Sequence, residues 1–369
     1  RDGRTRARVL RVTAFGASEL IAALRHFGPT LMAMPRDSRE SMPLVVPRGQ
    51  EVGASAGDLV LVKIERDPKK GPSGRVVEVL GRPGDRDAEL KAVIRGHGLP
   101  LVFPQDADAE ARRLAKETPR LPGGLRRDLR GERIFTIDGP DAKDFDDAVS
   151  LVPQGGGRVR LGVHIADVSA YVREDSALAR EAYQRGTSVY LPGKVIPMLP
   201  PALSDDACSL VPRQDRLALT CEMDLDRNGD LYGTRIYPSV IRSVQRGVYE
   251  EVQEVLEGKR VPGYGALTED LKAMQALARV LRKRRDRRGS LDFDFPEAKV
   301  ELDEDGKVLS LSRRDRLESH KLIEELMLIA NEAVARFLAG RAEPAMYRIH
   351  ETPDADKLTE ANAFLEPLG

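Results

Sequence analysis

RIFTIDGPDAKDFDDAVSLV, residues 133–152, is the stretch on which the fold turns. Its two apolar ends, residues 133–137 and 148–152, read as strands, and Gly139 with Pro140 marks a turn between them. The same texture continues downstream. VRLGVHI (159–165) sets Val159, Leu161, Val163 and Ile165 on one face at period two, and LALTCEMDL (217–225) does so with Leu217, Leu219, Cys221, Met223 and Leu225. Cys221 thus falls on a core-facing row and reads as a small hydrophobe rather than a nucleophile. Helical periodicity follows. Leu271, Met274, Leu277, Ala278 and Leu281 recur at three-and-four spacing, as do Leu322, Leu326, Ile329, Ala333 and Phe337. Strands first and helices later predict an α+β fold: a large mixed domain over 131–369 with a mostly antiparallel sheet packed by helices.

Upstream, the elements shorten and turn residues multiply. DLVLVKIER (58–66) reads as a strand buried on both sides at its start and on one side at its end. RVVEVL (75–80), ARVLRV (7–12) and PLVVP (43–47) are further strand candidates. Residues 1–85 therefore predict a small β-barrel of the oligonucleotide-binding type. ASELIAALRHFG (17–28) is more helical than strand-like, which keeps a winged helix-turn-helix open for part of this domain. LGRPGDRDAEL (80–90) is a Gly/Pro-rich, charged boundary, and residues 86–130 read as a connector with one helix, DADAEARRLAKE.

The chain has 369 residues, 41% of them apolar and 32% charged, and no apolar run near twenty residues, so a spanning helix is excluded. Lys plus Arg and Asp plus Glu both number 59, but unevenly: residues 1–130 carry 25 basic and 17 acidic side chains, residues 131–230 carry 11 and 17. A basic portion that captures a polyanion, followed by an acidic one that holds cations, would have this distribution; ordinary solvated surfaces are the plainer alternative. Cys208 and Cys221 alone make neither a disulfide framework nor a four-ligand zinc site, and a reducing, intracellular setting is the simpler expectation.

Asp138, Asp144, Asp146 and Asp147, with Asp141 among them, crowd the end of one predicted strand and the start of the next. Carboxylates so close raise one another's pKa values unless a hard divalent cation neutralises them. Magnesium takes oxygen ligands and retains waters, so it suits a compact aspartate set completed by an incoming phosphate. A solvated acidic loop is the alternative; the apolar flanks on both sides weigh against it. No EF-hand spacing is present.

These residues carry a resemblance. TIDGPDAKDFDDAVS (136–150), LGVHIADVSAYV (161–172), REAYQRGTSVYLPGKVIPMLPPALSDDACSL (180–210) and SHKLIEELMLIANEAVA (319–335) are similar, in order, to segments of the ribonuclease R and ribonuclease II family of processive 3′ to 5′ exoribonucleases. Residues 40–130 resemble the cold-shock-like barrel and connector that precede its catalytic domain. The resemblance implies a magnesium-dependent hydrolytic exoribonuclease, with manganese as a substitute, that releases nucleoside 5′-monophosphates from single-stranded RNA. It implies Asp138, Asp144 and Asp147 as metal ligands and Asp146 as the aspartate most critical for turnover. Tyr190 and Tyr249 would stack on terminal nucleotides, and Glu325 of the Glu324–Glu325 pair would contact a nucleotide near the 3′ end. Read as bare residues, both tyrosines are equally packing residues. Lys69 and Lys70, with Lys63 and Arg75, are the expected phosphate contacts of the barrel. A cytoplasmic monomer with no membrane attachment is the implied setting.

The family's later S-P-I-R-R-Y-like segment and S1-type barrel do not occur in these residues, which reads as an excerpt of a longer enzyme. An inactive RNA-binding scaffold that kept the fold is the alternative. Four mutually repelling carboxylates argue against it.

Overall fold

A computed structural model of the chain describes residues 18–36, 42–67, 71–116, 126–293, 295–304, 306–341, 344–347, 349 and 351–368. In chain order the first elements are β1 (Glu19–Phe27), β2 (Thr30–Pro35), β3 (Leu44–Val46), β4 (Leu59–Asp67), β5 (Gly71–Gly81), α1 (Arg86–Gly96) and α2 (Gln105–Leu114). Then come β6 (Arg127–Asp128), β7 (Phe135–Asp138), β8 (Asp147–Gly155), β9 (Arg158–Ala166), α3 (Ala177–Arg185), β10 (Val189–Leu191) and β11 (Lys194–Ile196). The rest are β12 (Asp215–Leu225), β13 (Leu231–Arg242), β14 (Gln245–Val248), α4 (Tyr249–Leu256), α5 (Thr268–Arg287), β15 (Glu297–Leu302), β16 (Val308–Arg314), α6 (Glu318–Gly340) and α7 (Ala355–Leu365). They form two compact units. One gathers the described parts of Arg1–Thr118, Val168–Ser209 and Asp294–Asp315; the other gathers those of Pro119–Asp167, Leu210–Phe293 and Arg316–Gly369.

The first unit contains a closed barrel in the order β1-β2-β3-β5-β4. β1 corrects the helical reading of 17–28. Leu20, Ala22 and Leu24 alternate into the barrel core beside Ala33, Val60, Val62 and Val76, and the strand pairs antiparallel with β2 on one side and β4 on the other. Its Leu and Ala content favours a helix, but two neighbouring strands satisfy its backbone and set its period. The first residues of β4 are buried on both sides, as expected, because α1 lies outside them: Leu59 and Leu80 pack on Ala88 and Ala92. That helix, unforeseen in the charged boundary, starts at Asp85, whose carboxylate accepts from the Asp87 N–H at 2.8 Å. The strand candidate at 7–12 lies outside the described residues.

The second unit is a seven-stranded sheet in the order β14-β7-β8-β9-β12-β13-β6. Its interior pairs are antiparallel, and short parallel strands close both edges. Register aligns Val149, Val163, Cys221 and Ile236 across four strands. This face is covered by α4, α5 and α6 through Val252, Met274, Leu277, Leu322 and Leu326, among others. Cys221 is buried within that core, and burial pushes its thiol up to about 11, as befits a packing residue. No described helix is long and apolar enough to cross a membrane.

The opposite face carries a polar seam. His164 is fully buried; its Nε2 lies 3.0 Å from Ser150 Oγ and its Nδ1 2.9 Å from Thr220 Oγ1, which in turn lies 2.7 Å from Ser239 Oγ. Four strands are thereby tied side chain to side chain. Gly162 makes room for the ring: a Cβ there would sit 2.4 Å from Ser150 Oγ and 2.8 Å from His164 Nε2. Burial pushes His164 from 6.5 down to about 3, so it is neutral in the fold. A neutral histidine stabilises the native state fully above its unfolded value and loses that contribution as pH falls from 6.5 towards 3, at up to about 1.4 kcal/mol per pH unit. His164→Gln, measured by urea unfolding at pH 7 and pH 5, should lose less stability over that interval than wild type does; equal losses would place the acid sensitivity elsewhere.

Candidate active site

The acidic segment is the connection from β7 to β8. Asp138 ends one strand and Asp147 begins the next, and residues 139–146 connect them. Phe145 anchors the far half. Its ring is buried with Leu129, Ile134, Ala148, Ala166 and Leu210, and its carbonyl accepts from the Leu210 N–H at 2.9 Å. The Asp146 carbonyl accepts from the Ala166 N–H at 2.9 Å. With Phe145 turned inward, Asp144 and Asp146 flank it, which is the physical reason for a D-F-D spacing.

The near half is held from β14. This edge strand runs parallel to β7 with Arg246 opposite Thr136 and Val248 opposite Asp138. Arg246 Nη2 donates to the carbonyls of Gly139 and Pro140, at 2.9 and 2.5 Å, and its guanidinium carbon lies 5.3 Å from the centre of the Phe145 ring.

Electrostatics joins the carboxylates into one set. Burial pushes Asp138 up to about 7, with the charges of Asp147 and Asp144 adding to it and Thr136 and Arg246 opposing. Asp147 is raised to about 6 by burial and by Asp146. Asp146 reaches the surface, yet dehydration by its surroundings and the charge of Asp144 still raise it. Asp138 Oδ2 is buried and accepts no hydrogen bond. An orphaned, dehydrated carboxylate oxygen among like charges is a donor set for a hard cation. Among the described residues, no three His, Cys, Asp or Glu side chains close into a cage for a metal. Magnesium tolerates such an open set, because it keeps waters and takes further oxygens from a phosphate.

The other expected site residues lie as follows. Tyr249 opens α4, stacked on His320 with ring centres 4.1 Å apart; Ser319 Oγ donates to its carbonyl at 2.8 Å. One face of this ring is thus already occupied. Glu325 is 3% exposed and accepts from Arg285 at 2.8 and 3.2 Å, an internal ion pair between α5 and α6. Glu324 is the partly exposed member of the pair, bonded to Arg316 at 2.6 Å. Tyr190 sits in the other compact unit, 64% exposed on the β10–β11 hairpin. The turn of that hairpin is held by Arg86, whose Nη2 donates to the Pro192 carbonyl at 3.2 Å. Gly193 there has φ +71°, and a Cβ on it would meet Arg86 at 2.7 Å. Lys63 and Arg75 are register partners on β4 and β5, with Arg75 bonded to Glu65; Lys69 and Lys70 lie outside the described residues.

Sequence reasoning missed Arg246 and Arg86. Each acts on backbone carbonyls far along the chain, and no side-chain pattern announces such a bond. The one signal near Arg246 is Gly247, whose missing side chain lets β14 lie flush on β7: a Cβ there would sit 2.8 Å from the Thr136 carbonyl oxygen.

The chain is similar to known proteins over its length. The RNB domain matches residues 126–368 and a cold shock domain matches residues 33–104. Ribonuclease R of Thermotoga maritima is 41% identical over 373 residues, covering 100% of this chain and 52% of its own length. That of Escherichia coli K12 is 38% identical, covering 100% and 46%. The structure of Mycoplasma genitalium RNase R in complex with double-stranded RNA superposes with a TM-score of 0.88 at 27% identity, over 98% of this chain and 65% of that one. The chain spans about half the length of the curated relatives it matches.

The raised carboxyl groups predict how a cation acts on the protein. Their contribution to stability is full below about pH 3.8 and is lost as pH rises through about 6 to 7, where they ionise against one another. Magnesium should therefore raise the melting temperature of chelator-treated protein more at pH 7.5 than at pH 5, and Asp138→Asn should abolish the increment. An increment equal at both pH values, or unchanged in the variant, would place the cation elsewhere.

Proposed function

Because this chain belongs to the RNB-domain family of ribonuclease R, we propose that it is part of a magnesium-dependent hydrolytic exoribonuclease that shortens single-stranded RNA processively from its 3′ end, releasing nucleoside 5′-monophosphates. The observation that carries this reading is the buried, unpartnered Asp138 Oδ2 within a set of mutually destabilised carboxylates.

Asp138, Asp144 and Asp147 are the residues that would hold the cation, with manganese able to replace magnesium. Bound there, such an ion supplies charge compensation on the phosphate and a water acidic enough to attack it. The protein's own part is to keep the carboxylates converged and dehydrated before RNA arrives. Asp146, the most open of the four, is placed to touch the reacting phosphate or its water. An RNA phosphate is repelled by this loop when it is empty, so cation and substrate bind in concert or in that order.

Tyr190 and Tyr249 are the aromatic surfaces for terminal nucleotides, since stacking tolerates every base. For Tyr249 the stack on His320 leaves only the outer face and edge for a nucleotide. Of the acidic pair, Glu324 takes the nucleotide contact in place of Glu325, which its arginine neutralises inside the fold. The barrel's Lys63, Lys69, Lys70 and Arg75 supply sequence-independent phosphate contacts. A cytoplasmic monomer that meets RNA and no membrane completes the reading.

Four mutually repelling carboxylates favour this reading over an inactive scaffold, which has no use for their repulsion. In the complete protein, the label of 3′-labelled linear RNA should leave at once as a monophosphate, the label of 5′-labelled RNA should end on a short residual oligomer, and circular RNA should survive. Asp146→Asn should lower cleavage by about a hundredfold or more while RNA affinity stays within about twofold. Undiminished cleavage by that variant would overturn the catalytic assignment, and cleavage of a closed circle would overturn the end-directed one.

A further inference from the structure

Arg246 touches both ends of the acidic loop. Its Nη2 bridges the carbonyls of Gly139 and Pro140 where the loop leaves β7, and its guanidinium lies over Phe145 where the loop returns to β8. Within the loop the Ala142 N–H reaches the Gly139 carbonyl at 3.2 Å. The bridging arginine also has an unmet need, because its Nε is buried with no hydrogen-bond partner.

We propose that Arg246 is a positioning residue, which clamps the Gly139–Pro140 turn against Phe145 and so holds Asp138 and Asp144–Asp147 in the shape that captures a divalent cation. The inference rests on the reading of these aspartates as the cation site. Geometry makes the clamp specific to arginine. Two successive carbonyls converge on one nitrogen, and a planar guanidinium can meet them while lying near a ring; an ammonium is a point donor with no flat face. The seat is built from the chain up. Gly247 lets β14 press onto β7 at Thr136, and the Val244 N–H bonds the Ile134 carbonyl at 2.7 Å, so the arginine enters under the loop from a fixed strand.

Two opposite effects of the same side chain make the idea testable. A guanidinium beside a cation site repels the cation, so deleting its charge by itself would tighten binding. Deleting a clamp would weaken it. Manganese alone is the probe, with binding to the full chain followed by the loss of the free-ion paramagnetic resonance signal at pH 7.5. Arg246→Met should weaken manganese binding by about tenfold to a hundredfold, the range found when supports of metal ligands are removed. Arg246→Lys should recover part of the loss, and both variants should melt within a few degrees of wild type in chelator. Unchanged or tighter binding by Arg246→Met would overturn the clamp. Should Arg246→Met fail to fold, Arg246→Lys decides alone: binding equal to or tighter than wild type overturns the proposal, and weaker binding supports it, because the charge is retained. Wild-type binding that Asp138→Asn leaves unchanged would instead overturn the cation site itself, and the clamp with it.

Discussion

Like charges at close range must be forced together, and the force here comes from strand pairing. Asp138 and Asp147 terminate neighbouring antiparallel strands, β7 and β8, so the hydrogen bonds of the sheet decide how near their carboxylates lie. Everything around that junction serves the same constraint. Phe145 sinks the loop into an apolar cluster, backbone bonds from Leu210 and Ala166 fix its return, and β14 supplies the cation that reaches its carbonyls. The cost of burying these groups beside one another appears in the raised pKa values of Asp138 and Asp147, with burial the larger cause and the neighbouring charges adding to it. A divalent ion and a phosphate oxygen would remove that cost together.

The sheet resists this repulsion through two dissimilar faces. On one, α4, α5 and α6 bury apolar rows that cross four strands in register. On the other, His164 links Ser150 to Thr220, and Thr220 to Ser239. Such a seam is satisfied only in one register, since a slip by one residue would send every member to the wrong face. It adds specificity to the strand order, while the helix face supplies most of the burial. The internal pair of Glu325 with Arg285 plays a similar part between α5 and α6.

Alternation and periodicity made much of this legible in the sequence. The rows of VRLGVHI and LALTCEMDL predicted β9 and β12, and three-and-four spacing predicted α5 and α6. The acidic loop was legible because its flanks are unambiguous strands. Residues 17–28 misled because Leu and Ala favour a helix and the partners that make them a strand lie elsewhere in the chain. α1 was hidden by a Gly- and Pro-rich approach, although Asp85 caps it. The inward turn of Glu325 and the reach of Arg246 were beyond any pattern, because adjacent glutamates look alike until α6 has a neighbour, and a guanidinium's backbone acceptors are anonymous. Tyr190 and Tyr249 show the same limit: both are aromatic and short-range, yet one is exposed on a hairpin and the other is stacked on His320.

The chemistry proposed for this chain depends on a divalent cation bound within the β7–β8 junction. Diffraction from crystals soaked in manganese, collected at the manganese absorption edge, locates such an ion without reference to activity. An anomalous peak is expected within bonding distance of carboxylate oxygens of Asp138 and Asp147. A protein whose RNA cleavage is saturated by manganese, but whose only anomalous peaks lie away from these aspartates, would contradict that dependence.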